Sequence, residues 1–427
     1  MHAIIFLFGI IALQSSHLHA EVRQGKAVVF DAGSTGTRVF IYDWSQKVAH
    51  SLVDINLPAG RTKKIEGGLT SFGQHIPKIS GYLNQLIKFA KKIVGEENIK
   101  TTPLFFAATA GLRLEQQRNP EGYAKIMAKI KEVLEGSGFV IADEPRAISG
   151  QEEAAFAWVD VNALEHRLPK ILAGQDLGIG IVEMGGASFQ IAFLPEAKPQ
   201  SQAFPINLAN KILTLYAYSY GDLGENEARR LLVNKEYCEW GHDNNKAGNF
   251  DKCREAILAK ILSLKGKECD SCGIGPIFQP RLAELTQKFY GVGSLGFLIE
   301  NFGIHTINAR NLKKAGDNIC NVTFKEAVTK VPTLRNKKDL LKKQCFNLAY
   351  FSAVLTGHEK IGDNALGFPG NTTRLIAKRD INHQEVSWTL GYLMLSIDKF
   401  LNHKHLSLRQ TKDALISGEF KKSNNKL

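Results

Sequence analysis

The chain has 427 residues, a formal net charge of +12, and 44% hydrophobic and 22% charged residues. This is an ordinary globular composition, with length for two to three domains, and it leaves no room for a mainly disordered chain. The excess lysines are scattered in pairs such as Lys63-Lys64, Lys91-Lys92 and Lys342-Lys343, without interleaved aromatics, so a nucleic-acid-binding module is excluded in favour of a basic surface that attracts small polyanions.

In chain order, Ala3 to Leu13 is an apolar run too short to span a bilayer, followed by a polar stretch ending at Ala20. Residues 1–20 are therefore expected to be a secretory signal, despite an n-region with no Lys or Arg. No later apolar run reaches membrane length, so the expected product is secreted, or held in the lumen of the secretory pathway, without a stable membrane anchor. Lys26 to Phe30 and Val39 to Trp44 read as strands, and the segment between them, from Asp31 to Arg38, is rich in Gly and hydroxyls. Apolar residues at helical spacing mark Pro77 to Val94 and Tyr123 to Leu134. Pro103 to Ala108 and Gly138 to Ala142 are further strands, and Ala154 to Leu164 a further helix. Gly178 to Val182 and Ile191 to Leu194 then flank Glu183-Met184-Gly185-Gly186-Ala187-Ser188-Phe189-Gln190. The unit of apolar strand, acidic residue, glycines, hydroxyl residue and apolar strand occurs twice. Strands alternating with helices predict α/β architecture, and two such loops predict two related lobes over a cleft. Residues 200 to 345 are less regular and hold every cysteine, and the stretch after Phe420 is polar.

Six cysteines in an exported chain favour disulfides. Cys238, Cys253, Cys269 and Cys272 cluster, leaving three connectivities open, and Cys269 and Cys272 with Cys238, Cys253 or His242 offer zinc ligands at spacings unlike common zinc modules. Asn321-Val322-Thr323 and Asn371-Thr372-Thr373 are sequons for a eukaryotic host.

The loops suggest phosphate chemistry. Gly33 and Gly36 permit a sharp turn that brings backbone N–H groups toward a phosphate, while Ser34, Thr35, Thr37 and Arg38 add donors. Asp31 and Glu183 each close a buried strand, suited to a hydrated divalent cation. Gly185, Gly186 and Ala187 supply close backbone approach in the second loop, and Ser188 and Gln190, two apart on an extended segment, share one face where they can orient a water. Gln151-Glu152-Glu153 follows Ser149-Gly150 at a helix start; one carboxylate of the pair can take a proton from that water, and both also suit the helix dipole.

Together these motifs resemble the apyrase family, the ectonucleoside triphosphate diphosphohydrolases. The resemblance is carried by Asp31–Tyr42, Ala108–Arg113, Ile148–Asn162, Val182–Gln190 and Ser387–Leu393, in order across nearly the whole chain. It implies a two-lobed actin-like (ribonuclease H-like) ATPase fold with the site in the interlobe cleft. The implied division is 21–149 plus 379–427 for the first lobe and 150–378 for the second. The implied reaction is hydrolysis of nucleoside tri- and diphosphates to monophosphate and phosphate with Ca²⁺ or Mg²⁺. In it Glu153 is the base, Thr109 assists at the terminal phosphate, Ser188 and Gln190 hold the water, Asp31 and Glu183 hold the cation through its waters, and Ser34, Thr37 and loop amides grip phosphates. Tyr350 matches a nucleobase-clamp position, and Cys320 with Cys345 a family disulfide. Glu183 departs from the family's Asp, Phe189 from its Thr at an outward loop position, and Gly36 sits where members vary. The expected partners are nucleotides alone, bound by a monomer. An actin-fold kinase or exopolyphosphatase-like enzyme shares the loops, as would a catalytically dead nucleotide-binding protein.

Overall fold

The computed structural model describes residues 22–240, 246–263, 271–356 and 365–401. The expected signal segment, His242, Cys269 and the polar stretch after Phe420 lie outside them.

Two mixed sheets form the frame. The first runs β3-β2-β1-β5-β6, where β1 is Arg23–Ala32, β2 Gly36–Gln46, β3 Asp54–Asn56, β5 Pro103–Ala108 and β6 Val140–Ile141; β4 (Thr62–Glu66) pairs with β2 and β7 (Arg146–Ala147) with β5. The second runs β10-β11-β9-β8-β12-β13, with β8 Gly180–Met184, β9 Ser188–Phe193, β10 Ala203–Leu208, β11 Lys211–Gly221, β12 Phe289–Gly293 and β13 Leu375–Ala377. In each sheet a central strand pairs antiparallel with its hairpin partner (β1 with β2, β8 with β9) and parallel with a later strand (β1 with β5, β8 with β12). The repeated sequence unit is thus a repeated topology.

Helices occupy three layers around these sheets. Helix α1 (Lys78–Val94) buries Ile79, Tyr82, Leu83, Leu86, Ile87, Ala90 and Val94, one face of a 3.6-residue period, against the outer side of the first sheet. Helix α2 (Ala110–Arg118) leads into α3 (Pro120–Glu135), which covers the same side through Ile126, Ile130, Val133 and Leu134. Between the sheets lie α4 (Gly150–Leu164) and the helix 389–401, sharing one core with both. That position explains why α4 is buried on nearly every side, from Glu153 to Asn162. Helices Phe250–Leu262, Ala309–Cys320 and Gln344–Thr356 pack on the far side of the second sheet.

The chain passes from the first sheet to the second through residues 147–150 at the start of α4, and returns through residues 386–389 into the last helix. At the middle of that layer the backbones touch: a Cβ on Gly391 would stand 1.9 Å from the Phe156 carbonyl oxygen. Asp160 of α4 accepts the Ser387 backbone N–H at 3.2 Å, which fixes the start of the returning helix.

Disulfides join Cys238 to Cys253 and Cys320 to Cys345, so these four are not thiolates open to zinc, and Cys272 is also disulfide-bonded.

Candidate active site

Two hairpin loops of the same construction face each other. In the first, the Gly33 N–H donates to the Gly36 carbonyl at 2.9 Å; in the second, the Gly185 N–H donates to the Ser188 carbonyl at 3.0 Å. The loops proper are therefore Gly33–Thr35 and Gly185–Ala187, and Gly36, Thr37 and Arg38 belong to β2 rather than to a loop. Strand register matches Asp31 with Arg38 and Glu183 with Gln190. A Cβ on Gly186 would lie 3.0 Å from Ser34 Oγ, so the loop tips meet across the cleft. Gly111, in the first turn of α2, packs on Ser34, and Gly224 packs on the backbone of Ala187 and Ser188.

Strand alternation decides what each side chain meets. Asp31 and Arg38 share the face of Val29 and Phe40, and Glu183, Ser188 and Gln190 share the face of Ile181 and Ala192; both faces look into the layer that holds α4. Thr37 and Phe189 have the opposite parity. Thr37 is fully buried on the side of Val39 and Ile41, and its backbone N–H is given to Tyr82 Oη at 2.9 Å, so it is not placed to grip a phosphate. Phe189 is buried as well, stacked on Tyr220 with ring centroids 4.7 Å apart, and is not an outward position. At the position equivalent to Ser188 the first lobe has Gly36, where a Cβ would stand 2.5 Å from the Ile65 carbonyl oxygen. Only the second lobe has room for a hydroxyl there.

Helix α4 brings Glu153 to this point. Ser149 and Glu152 form a capping box, and Glu152 also binds Arg146 through both oxygens, at 2.6 and 3.0 Å. Glu152 is thereby turned to the first lobe and held, while Glu153 points into the cleft with little exposure. Gln151 anchors the same turn through Ala217 O at 3.0 Å. Glu153 Oε2 accepts from Arg113 Nη1 at 3.1 Å; the other arm of that guanidinium donates to Ser188 Oγ at 3.2 Å, and Gln190 Nε2 donates to the same hydroxyl at 2.6 Å. Arg113 thus ties the first lobe, the base candidate and the second loop together. Its role was not read from the sequence, where only its place in Ala108–Arg113 marked it. Thr109 caps α2, with its N–H on the Ala32 carbonyl at 3.1 Å and its carbonyl accepting from Arg113 N at 3.0 Å.

The electrostatics set up an unmet demand for positive charge. Burial pushes Asp31 up to about 7, with Arg38 opposing and Glu153 and Glu385 reinforcing. Glu183 is raised well above the ordinary range by burial, then by Glu153 and Asp31, since its register partner is the neutral Gln190 where Asp31 has Arg38. Burial also raises Glu153, against the lowering effect of Arg113. Glu183 Oε2 and Gln190 Oε1 are buried with no protein partner. Unsatisfied buried oxygens beside three mutually repelling carboxylates fit a cation. Among the described residues no three His, Cys, Asp or Glu side chains converge closely enough to ligate one directly.

Beside the second loop lies a cavity of about 210 Å³ lined by Glu225, Ser294, Phe297, Lys343, Asn347 and Phe351, among others. Glu225 and Asn226 donate their backbone N–H groups to Gly185 O and Gly186 O, each at 2.9 Å, so the cavity adjoins the loop. Tyr350, expected at a nucleobase clamp, is not on this wall. It is fully buried in the second-lobe core, stacked on Phe346, with its hydroxyl on the Leu223 carbonyl. The next residue, Phe351, turned about 100° around the helix, lies under the cavity wall while remaining buried in the core.

The model of the GDA1/CD39 (nucleoside phosphatase) family matches residues 17–243 and 232–409. Probable apyrase 4 of Arabidopsis thaliana is 27% identical over 421 residues, covering 87% of this chain and 79% of that protein. Ectonucleoside triphosphate diphosphohydrolase 6 of Mus musculus is 26% identical over 406 residues, covering 88% of this chain and 83% of that protein. Among solved structures, a nucleoside triphosphate hydrolase from Neospora caninum aligns with a TM-score of 0.53 at 14% identity, over 89% of this chain and 94% of that chain, a likeness of fold.

Proposed function

The chain belongs to the GDA1/CD39 (nucleoside phosphatase) family, and from that membership we propose how its two-lobed actin-like fold hydrolyses nucleoside tri- and diphosphates. The observation that carries the proposal is the convergence of Glu153, Arg113, Ser188 and Gln190 between two matched loops. Each turnover adds one water and releases one phosphate, from triphosphate to diphosphate or from diphosphate to monophosphate. Ser188 and Gln190 orient the water, and Glu153, raised by burial, takes its proton as the water attacks the terminal phosphorus in line. Ser34, Thr35 and the facing amides of Gly186 and Ala187 hold the phosphate chain, the Gly33 and Gly185 N–H groups being used to close the two hairpins, and Thr109 stands at its end. Arg113 keeps base and water-binding hydroxyl in register and offers charge to the transferred group. Asp31 and Glu183 would hold Ca²⁺ or Mg²⁺ through its waters; the cation, when bound, neutralises phosphate charge.

The nucleoside end of the substrate fits the cavity beside the second loop, where Phe297 offers exposed aromatic surface. Disulfides in the second lobe suit the secretory pathway, and no helix among the described residues is long and apolar enough to cross a membrane. A phosphate-release panel tests the reading: ATP, ADP, UTP, UDP and polyphosphate, each with Ca²⁺, Mg²⁺ or excess EDTA. Release from nucleotides that requires a divalent cation is expected. No release from any nucleotide, or full release in EDTA, overturns it.

A further inference from the structure

The cavity beside the second loop contains a carboxylate that hydrolysis does not use. Glu225 is half-buried and lines the cavity. Its Oε2 accepts from Asn347 Nδ2 at 3.3 Å, it is hydrogen-bonded to the Ser294 side chain, and its backbone N–H is fixed on Gly185 O at 2.9 Å. The neighbouring Asn226 is braced by Lys343 at 3.2 Å. Glu225 is therefore a rigid acceptor one step from the phosphate loop. The other carboxylate lining the cavity, Glu300, is paired with Arg379. Lys337 and Lys343 also line the cavity, and its exposed aromatic surface at Phe297 suits a base. What a carboxylate binds well is a vicinal diol, whose two hydroxyls match its two oxygens. In a nucleotide, the diol-bearing sugar is the piece joining phosphate to base.

We propose that Glu225 binds the 2′,3′-diol of the ribose and so makes the enzyme selective for ribonucleotides over 2′-deoxyribonucleotides. This rests on the reading above that the cavity takes the nucleoside end. Loss of a hydrogen bond to a charged group corresponds to about tenfold to hundredfold in affinity. Wild type should therefore favour ADP over 2′-deoxy-ADP in kcat/KM by about that factor, carried by KM. In Glu225→Gln and Glu225→Ala the ratio should fall to within about threefold of unity, through weaker use of ADP.

The same pair of nucleotides, measured as Kd in a Glu153→Gln background, keeps the comparison readable if turnover is lost. A wild-type ratio near unity overturns the diol assignment, as does a ratio that survives both substitutions. Absence of release from either nucleotide by wild type overturns the hydrolase reading itself, which is a different result.

Discussion

At the scale of single residues, two adjacent glutamates have separate duties that sequence alone could not divide. Both read as acidic residues at a helix start; the structure distinguishes them because Glu152 is bound by Arg146 and the Ser149 N–H, while Glu153 meets Arg113 in the cleft. Glu153→Gln should lower kcat by about 10² to 10⁴ with the thermal midpoint nearly unchanged. Glu152→Gln should keep turnover and cost about 1 kcal/mol of stability, read by denaturant unfolding; loss of kcat in Glu152→Gln with Glu153→Gln still active would reverse the assignment. Glu152 also has a pH signature. Its carboxyl is held below the usual range by Arg146 and the Ser149 cap, against the opposing effect of burial. The stabilisation is thus complete above the ordinary carboxylate value of about 4.3 and disappears as pH falls through the lower folded value. The stability gap between wild type and Glu152→Gln should accordingly close in acid. Glu183→Ala should abolish most activity and raise the cation concentration needed for half-maximal rate, with Glu183→Asp retaining activity; an Ala variant with wild-type cation response would remove Glu183 from the cation's surroundings.

Elements explain which assignments were legible and which were not. The loops were readable because glycine, hydroxyl and acid recur in one order between apolar strands, and period-two alternation places Glu183, Ser188 and Gln190 on one face. The same alternation, followed back along β2, puts Thr37 with Val39 and Ile41, away from phosphate, so that misreading was avoidable. Tyr350 was not avoidable: Gln344–Thr356 is buried from Cys345 to Thr356, and a helix apolar all round has no periodicity to mark its open side. The close crossing of α4 with helix 389–401 was equally hidden, because a glycine in a helix does not announce what lies against it. Gly391→Ala forces the Phe156 backbone or the whole returning helix to move, and overpacking of this kind costs about 1 to 3 kcal/mol or more. Thermal unfolding should show this as a lower midpoint, and an unchanged midpoint would mean the crossing is loose.

At the scale of the whole molecule, the two halves share a plan but divide the chemistry. Gly36 denies the first lobe the hydroxyl that Ser188 supplies to the second, and Arg113 reaches across to use it. The disulfide-bonded cysteines of the described chain all lie in the second lobe, outside the central layer. Cys320–Cys345 closes a separation of 25 residues between helices Ala309–Cys320 and Gln344–Thr356. Replacing both with serine should cost about 3 kcal/mol, measured by denaturant unfolding under non-reducing conditions; no loss would make the bond dispensable. The lobes are joined twice, at 147–150 and again at 386–389. One tether would let the second lobe swivel and tilt freely about a point. Two tethers, like the two pins of a door, remove every rotation but one. Any change in the gap between Ser34 and Gly186 would then follow a swing about the line through the two crossings.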